Sequence, residues 1–259
     1  ILLIFRLNLK ASVMSIDIHA GKVATADQII DLDALRSAYF AVKPDPKNSN
    51  QKVSFGTSGH RGSSLKGSFN EGHLLAISQA ICDYRLAQGY TGPLFIGKDT
   101  HALSNLAEQT ALEVFLGNGV CVVIQEDDGY VPTPVISHSI LNFNRHSRSG
   151  QADGVVITPS HNPPADGGFK YNPPHGGPAE SAVTSWIERR ANELLGHSLQ
   201  AVKRMTRERG AASNLVAQRD YAEEYVKELA TIVDLSKIRE SGLRIGVDPL
   251  GGASVKFWM

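Results

Sequence analysis

The stretch Thr158-Pro159-Ser160-His161-Asn162-Pro163-Pro164 follows a short apolar, β-branched run, Gly154-Val155-Val156-Ile157. That run predicts a buried strand. Proline has no N–H to give a sheet, so the chain must leave the sheet near Thr158. Three prolines then stiffen the loop and push Thr158, Asn162 and Pro163 towards extended backbone. A serine hydroxyl is thereby displayed at a strand end, where α/β folds place their ligands. Downstream, Asp166-Gly167-Gly168-Phe169-Lys170 supplies paired glycines for close backbone approach and a cation, Lys170, that could sit beside whatever Ser160 carries. Taken alone, a serine among prolines is usually a surface turn.

A second loop, Phe55-Gly56-Thr57-Ser58-Gly59-His60-Arg61-Gly62, is rich in glycine and hydroxyls and carries a guanidinium near its end. Small residues expose backbone N–H groups, and these together with Arg61 can hold an anion. By itself such a loop is weak evidence.

Together the two loops resemble the α-D-phosphohexomutase superfamily, and within it the bacterial phosphoglucomutase branch. The resemblance runs from about Val53 to the last residue. It implies that Ser160 is carried as a phosphoserine that exchanges its phosphoryl group with a sugar phosphate. It also implies a role for His161 through hydrogen bonding and for Lys170 in stabilising charge or handling the hydroxyl proton. The choice of acid or base between these two stays open. Thr57, Ser58, Arg61 and Asn162 become the expected phosphate and substrate contacts. The family binds Mg²⁺ through one phosphoserine oxygen and three aspartates of a D-G-D-x-D loop, and no such loop occurs in these 259 residues. Ser160, through its phosphate, is then the sole expected metal contact. The resemblance thus implies the first domain and the opening of a second from a longer gene product, without mutase activity by itself.

The elements that must present these loops can be read from the pattern. Asp27 predicts the cap of a helix over 28–40 that Pro44 stops, and 43–52 reads as a connector. Val53-Ser54-Phe55 predicts a strand. Asn70 and Gly89 bracket a helix from Glu71 to about Gln88, Leu94–Gly97 a strand, and Ser104 a helix reaching Phe115. Val120–Ile124 is an apolar strand covered on both faces, and a helix follows over about 135–143. Glu180–Leu195 is an amphipathic helix. Alternation of this kind predicts an α/β fold, a three-layer α/β/α sandwich with a mixed sheet. The domain reading is an N-terminal extension and helix over 1–50, the phosphoserine domain over 51–198, a linker over 199–218, and an incomplete second α/β/α domain over 219–259. That last part holds a helix from Asp220, a strand Leu243–Asp248 and a turn at Pro249–Ala253. Residues 1–13 read as an upstream extension ahead of Met14, loosely ordered.

Other polar residues read more simply. Lys98, Asp99, His101 and Asp127-Asp128 are caps, turn residues or solvated charge, although Lys98 and His101 stand at a strand end that points towards the cleft. His138, His146 and His197 have no metal-ligand spacing. Cys82 and Cys121 lie in apolar segments and read as buried thiols, not a disulfide, which fits a cytoplasmic location. Lys+Arg and Asp+Glu are both 26, so no global field recruits nucleic acid or an anionic membrane. The expected partner is a hexose phosphate, with oligomeric state left open. The primary reading is interconversion of glucose 1-phosphate and glucose 6-phosphate through a bisphosphate intermediate, and D-G-G-F-K-Y-N-P-P leans towards glucose. The alternatives are a mannose or glucosamine phosphate mutase, and a non-enzymatic truncated product or phosphate-binding module.

Overall fold

A computed structural model describes residues 18–56, 59–148 and 150–258. Residues 18–31 belong to a separate unit holding a single 3₁₀ turn, Ala26–Gln28. Thr25, not Asp27, is the cap there, its N–H bonding the Gln28 side chain at 3.0 Å. The helix expected over 28–40 is therefore shorter, and α1 spans Leu32–Ala41.

From α1 onward the chain builds a mixed six-stranded sheet. In chain order its strands are β1 (His60–Ser63), β2 (Leu94–Lys98), β3 (Val122–Gln125), β4 (Asp153–Ile157), β5 (Asp166–Asn172) and β6 (Val216–Arg219). Their spatial order is β1-β5-β4-β2-β3-β6. β4, β2, β3 and β6 run parallel, and β5 and β1 add as antiparallel strands at one edge. The helices after α1 are α2 (Glu71–Gln88), α3 (Ser104–Gly117), α4 (Thr133–His146), α5 (Ser181–Gly196), α6 (Arg207–Ala212), α7 (Tyr221–Leu229) and α8 (Leu235–Glu240).

Both faces of the central strands are covered, which is why β2, β3 and β4 are buried at every position. Alternate residues point to opposite faces. Phe95, Val123 and Val156 meet Val135, Ile136 and Ile140 of α4 and Tyr221 of α7. Helices α2, α3 and α5 pack together as the other layer. The sandwich expected from the alternation of elements is present.

Four local expectations are corrected. Val53–Phe55 forms no strand. Two of its N–H groups instead reach α5 side chains, Val53 N–H bonding Asn192 Oδ1 at 3.0 Å and Phe55 N–H bonding Glu188 Oε2 at 2.9 Å, while Ser54 N–H bonds His60 Nδ1 at 3.2 Å. Within 199–218, read as a linker, lie α6 and most of β6, and β6 joins the sheet beside β3. Leu243–Asp248 forms no ladder: Leu243 and Ile245 are 71% and 65% exposed, since no strand among the described residues pairs with them. Cys121 is exposed, whereas Cys82 is buried, with its thiol pushed up to about 12 by burial.

Asn70 caps α2 and also donates to the carbonyls of Ala38 at 2.8 Å and Ser64 at 3.1 Å, tying α1 to the loop after β1. Asn70→Ala is expected to cost about 1–2 kcal/mol of unfolding free energy, the scale of losing its two amide hydrogen bonds to Ala38 and Ser64. Urea titration checks this, and an unchanged midpoint would rule the tie out.

Candidate active site

β4 ends at Ile157, and the loop leaves the sheet at Thr158 as its prolines require. Ser160 adopts the left-handed region, φ +70°, which costs an L residue with a Cβ about 1–2 kcal/mol. Its N–H bonds Thr158 Oγ1 at 2.9 Å. Asn162 Nδ2 donates to Asp166 Oδ2 at 3.0 Å, and the Asp166 N–H closes back on the Pro163 carbonyl at 3.0 Å. The loop is thus internally braced, with the serine side chain left exposed. Strained backbone held by its surroundings is a mark of functional positions.

β5 returns antiparallel to β4 and brings Lys170 under the loop. Lys170 Nζ donates to Ser160 Oγ at 2.7 Å. β1 pairs with β5 so that Arg61 stands opposite Gly168, and Arg61 Nη2 reaches Ser160 Oγ at 3.5 Å. Burial first, and the Arg61 guanidinium second, push the Lys170 ammonium below its ordinary value. Two cations converging on one hydroxyl make a place for an anion built on that oxygen.

Two glycines make this convergence possible. A Cβ at Gly59, φ +148°, would lie 2.5 Å from the Phe169 carbonyl oxygen and 2.7 Å from Lys170 Cγ. A Cβ at Gly168 would land on the Thr158 carbonyl and 2.6 Å from Pro159 Cα. The first lets the Arg61 loop close on Lys170; the second lets β5 pass beneath the serine.

Of the expected site residues, Ser160, Lys170 and Arg61 are brought together. His161 is exposed on the same loop. Asn162 spends its amide on Asp166. Thr57 and Ser58 lie outside the described residues. Lys98 does not line the cleft. It is buried between Glu108 Oε2 and Asp128 Oδ1, each at 2.6 Å, because the pleat turns the end of β2 towards α3. His101 does line the cavity that holds Ser160, together with Asp99 and Thr158. Sequence reasoning overlooked Thr158 and treated Asp99 as a turn residue; their one signal was position at the ends of β4 and β2. Among the described residues no group of three His, Cys, Asp or Glu side chains could hold a metal. The residues present therefore do not complete a Mg²⁺ site. Nor is any helix among them long and apolar enough to cross a membrane.

Comparison with known proteins gives the family of the chain. Residues 52–195 match the family model for phosphoglucomutase/phosphomannomutase, alpha/beta/alpha domain I. The chain is 57% identical over 244 residues to a phosphoglucomutase of Komagataeibacter xylinus, covering 94% of this chain and 44% of that protein. It is 30% identical to a phosphoglucosamine mutase of Granulibacter bethesdensis, covering 80% of this chain and 41% of that one. The open form of the Paramecium phosphoglucomutase pp63/parafusin superposes with a TM-score of 0.64 at 21% identity, over 83% of this chain and 41% of that structure, a likeness of fold. The chain spans less than half the length of these relatives. A model match over more than half of its residues, on the very segment that builds the serine loop and its two cations, means that the chain belongs to the phosphoglucomutase/phosphomannomutase family.

Proposed function

We propose that this chain carries the phosphoryl-relay serine of a phosphoglucomutase, an isomerase that moves phosphate between the 1- and 6-hydroxyls of glucose through a bisphosphate. The observation that carries the reading is Ser160 Oγ, held in a left-handed turn 2.7 Å from Lys170 Nζ with Arg61 beside it. Phosphoryl transfer is chiefly positioning and charge neutralisation, and these cations supply part of the second.

In the forward half-reaction a substrate hydroxyl oxygen attacks the phosphorus of phosphorylated Ser160. The P–Oγ bond breaks, and the hydroxyl's proton is released as the new P–O bond forms. Lys170, as the ammonium, is the group placed to return a proton to Oγ. After the bisphosphate turns over, Oγ attacks its other phosphorus, the bond from that phosphorus to the sugar oxygen breaks, Lys170 takes the Oγ proton back, and the freed sugar oxygen regains from solvent the proton released in the first half-reaction. Arg61 holds the anionic oxygens throughout, and His161, exposed beside Ser160, is placed to bond the same group. Mg²⁺, which the family resemblance implies, would add charge neutralisation at the phosphoserine, and the described residues other than Ser160 offer no ligand group for it. Glucose is favoured over glucosamine by the higher identity to the phosphoglucomutase relative. A free thiol at each cysteine is in keeping with a cytoplasmic setting.

Peptide mapping by mass spectrometry of the protein purified from cells is expected to place a single phosphoryl group on Ser160, absent from Ser160→Ala. Phosphate found on Ser58 or Ser104 instead, with Ser160→Ala still able to exchange phosphate with hexose phosphates, would overturn the assignment.

A further inference from the structure

Ser160 is strained, yet the braces on either side of it lead to one pair of residues outside the loop. On one side its N–H bonds Thr158 Oγ1, and Thr158 lines the same cavity as Asp99. On the other side the Asn162 carbonyl lies 3.3 Å from His101 Nε2, while His101 Nδ1 lies 2.8 Å from Asp99 Oδ2. Asp99 is itself anchored, its N–H bonding the Ile157 carbonyl at 3.0 Å and its Oδ1 accepting from His101 N–H at 3.0 Å and Ser104 Oγ at 2.6 Å. The turn after β2 therefore holds the serine loop at its base, through the Ile157 carbonyl, and beyond the serine, through the Asn162 carbonyl.

We propose that His101, backed by Asp99, is a positioning residue that keeps Ser160 in its left-handed conformation with Oγ aimed at Lys170. This rests on the phosphoserine reading above for its purpose, though not for its geometry. The two partners of the imidazole, a carboxylate and a peptide carbonyl, both only accept, so the ring must donate from both nitrogens. It does so only as the imidazolium. Other charges face it: Asp99 from its own turn, Asp166 from β5, and Arg36 of α1 across a shared cavity of about 410 Å³. The hydrogen bond to Asp99 raises the His101 pKa above its ordinary value, against opposing burial. For Asp99, burial resists ionisation, but hydrogen bonds from His101 and Ser104 outweigh it and hold the carboxyl low. Each partner thus favours the charged form of the other. Loss of one proton from His101 forfeits one of its two grips.

The test is amide hydrogen exchange of the whole chain, corrected for intrinsic rates, read at Ser160, His161 and Asn162 and compared with Ile96, Val155 and Val156 in the sheet. In His101→Ala, loop protection is expected to fall about tenfold while the sheet is unmoved, since one lost grip is worth a charge-assisted hydrogen bond. His101→Gln, which keeps one donor, should fall less. In the wild type, loop protection should decline as pH rises through the His101 pKa, and His101→Gln should abolish that dependence. Unchanged loop protection in both variants, a loss shared equally by the sheet, or a wild-type profile flat with pH would each overturn the proposal. Should His101→Ala not fold, the glutamine variant and the wild-type profile decide it. Mapping phosphate on the same samples separates the two ideas: wild-type Ser160 without phosphate sinks the functional reading, while the exchange pattern still judges His101.

Discussion

Gly168→Ala is expected to slow phosphoryl exchange at Ser160 by about a hundredfold, the scale at which displacing a reacting group by about 1 Å is felt. One methyl suffices because what it meets is backbone. Its carbon would fall on the Thr158 carbonyl and 2.6 Å from Pro159 Cα, and neither can rotate aside. β5 cannot yield readily, being paired to β4 on one side and to β1 on the other. The loop must lift, and Ser160 Oγ leaves its 2.7 Å contact with Lys170. Overpacking of this kind also costs about 1–3 kcal/mol of stability. A time course of Ser160 phosphorylation by a hexose bisphosphate, read beside urea unfolding, separates the two effects. An unaltered rate would mean that the loop does not ride on Gly168.

Acid is expected to unfold the protein earlier than its carboxylates alone would dictate. His60 is buried, stacked between the rings of Phe69 at 5.9 Å and His73 at 5.1 Å. Burial first, then the neighbouring His73, lower its pKa from 6.5 to about 3. His73 is lowered too, chiefly by burial. The unfolded chain binds a proton that the folded one refuses, so the stability from neutral His60 is complete above about pH 6.5. It is lost as pH falls from there towards 3, at about 1.4 kcal/mol per unit, for a total of order 5 kcal/mol. Because His60 opens β1, the first consequence should be release of Arg61 from the site. Unfolding free energies measured between pH 7.5 and 4.5 should slope by one to two protons, and His60→Gln should flatten the slope. A curve level over that range would refute the idea.

How much of this was legible beforehand differs from residue to residue. Asn70 and Gly89 mark the ends of α2 in the sequence and in the structure alike, since caps are local chemistry. The departure of the chain from the sheet at Thr158 follows from prolines that cannot donate. Ser160, Arg61 and Lys170 were named from two motifs, although 99 residues separate Ser160 from Arg61. Val53–Phe55 and Leu243–Asp248 have equally good strand patterns, yet neither pairs. The first finds α5 side chains for its amides, and the second finds nothing among the described residues. β6, by contrast, joins the sheet from a stretch with no clear period, because β3 offers an open edge.

The sequence by itself determined the alternation of strands and helices, the stiff loop with its hydroxyl, and Lys170 ten residues on, for these follow from residue chemistry and short-range spacing, whereas only the family resemblance joined Arg61 to them. Tertiary structure alone decided that Lys98 turns into the interior while Lys170 turns to the serine, and that Asp99 and His101 grip the loop from a different strand end. Such choices depend on which neighbour is within reach of a donor or a charge, and only the folded chain sets that distance.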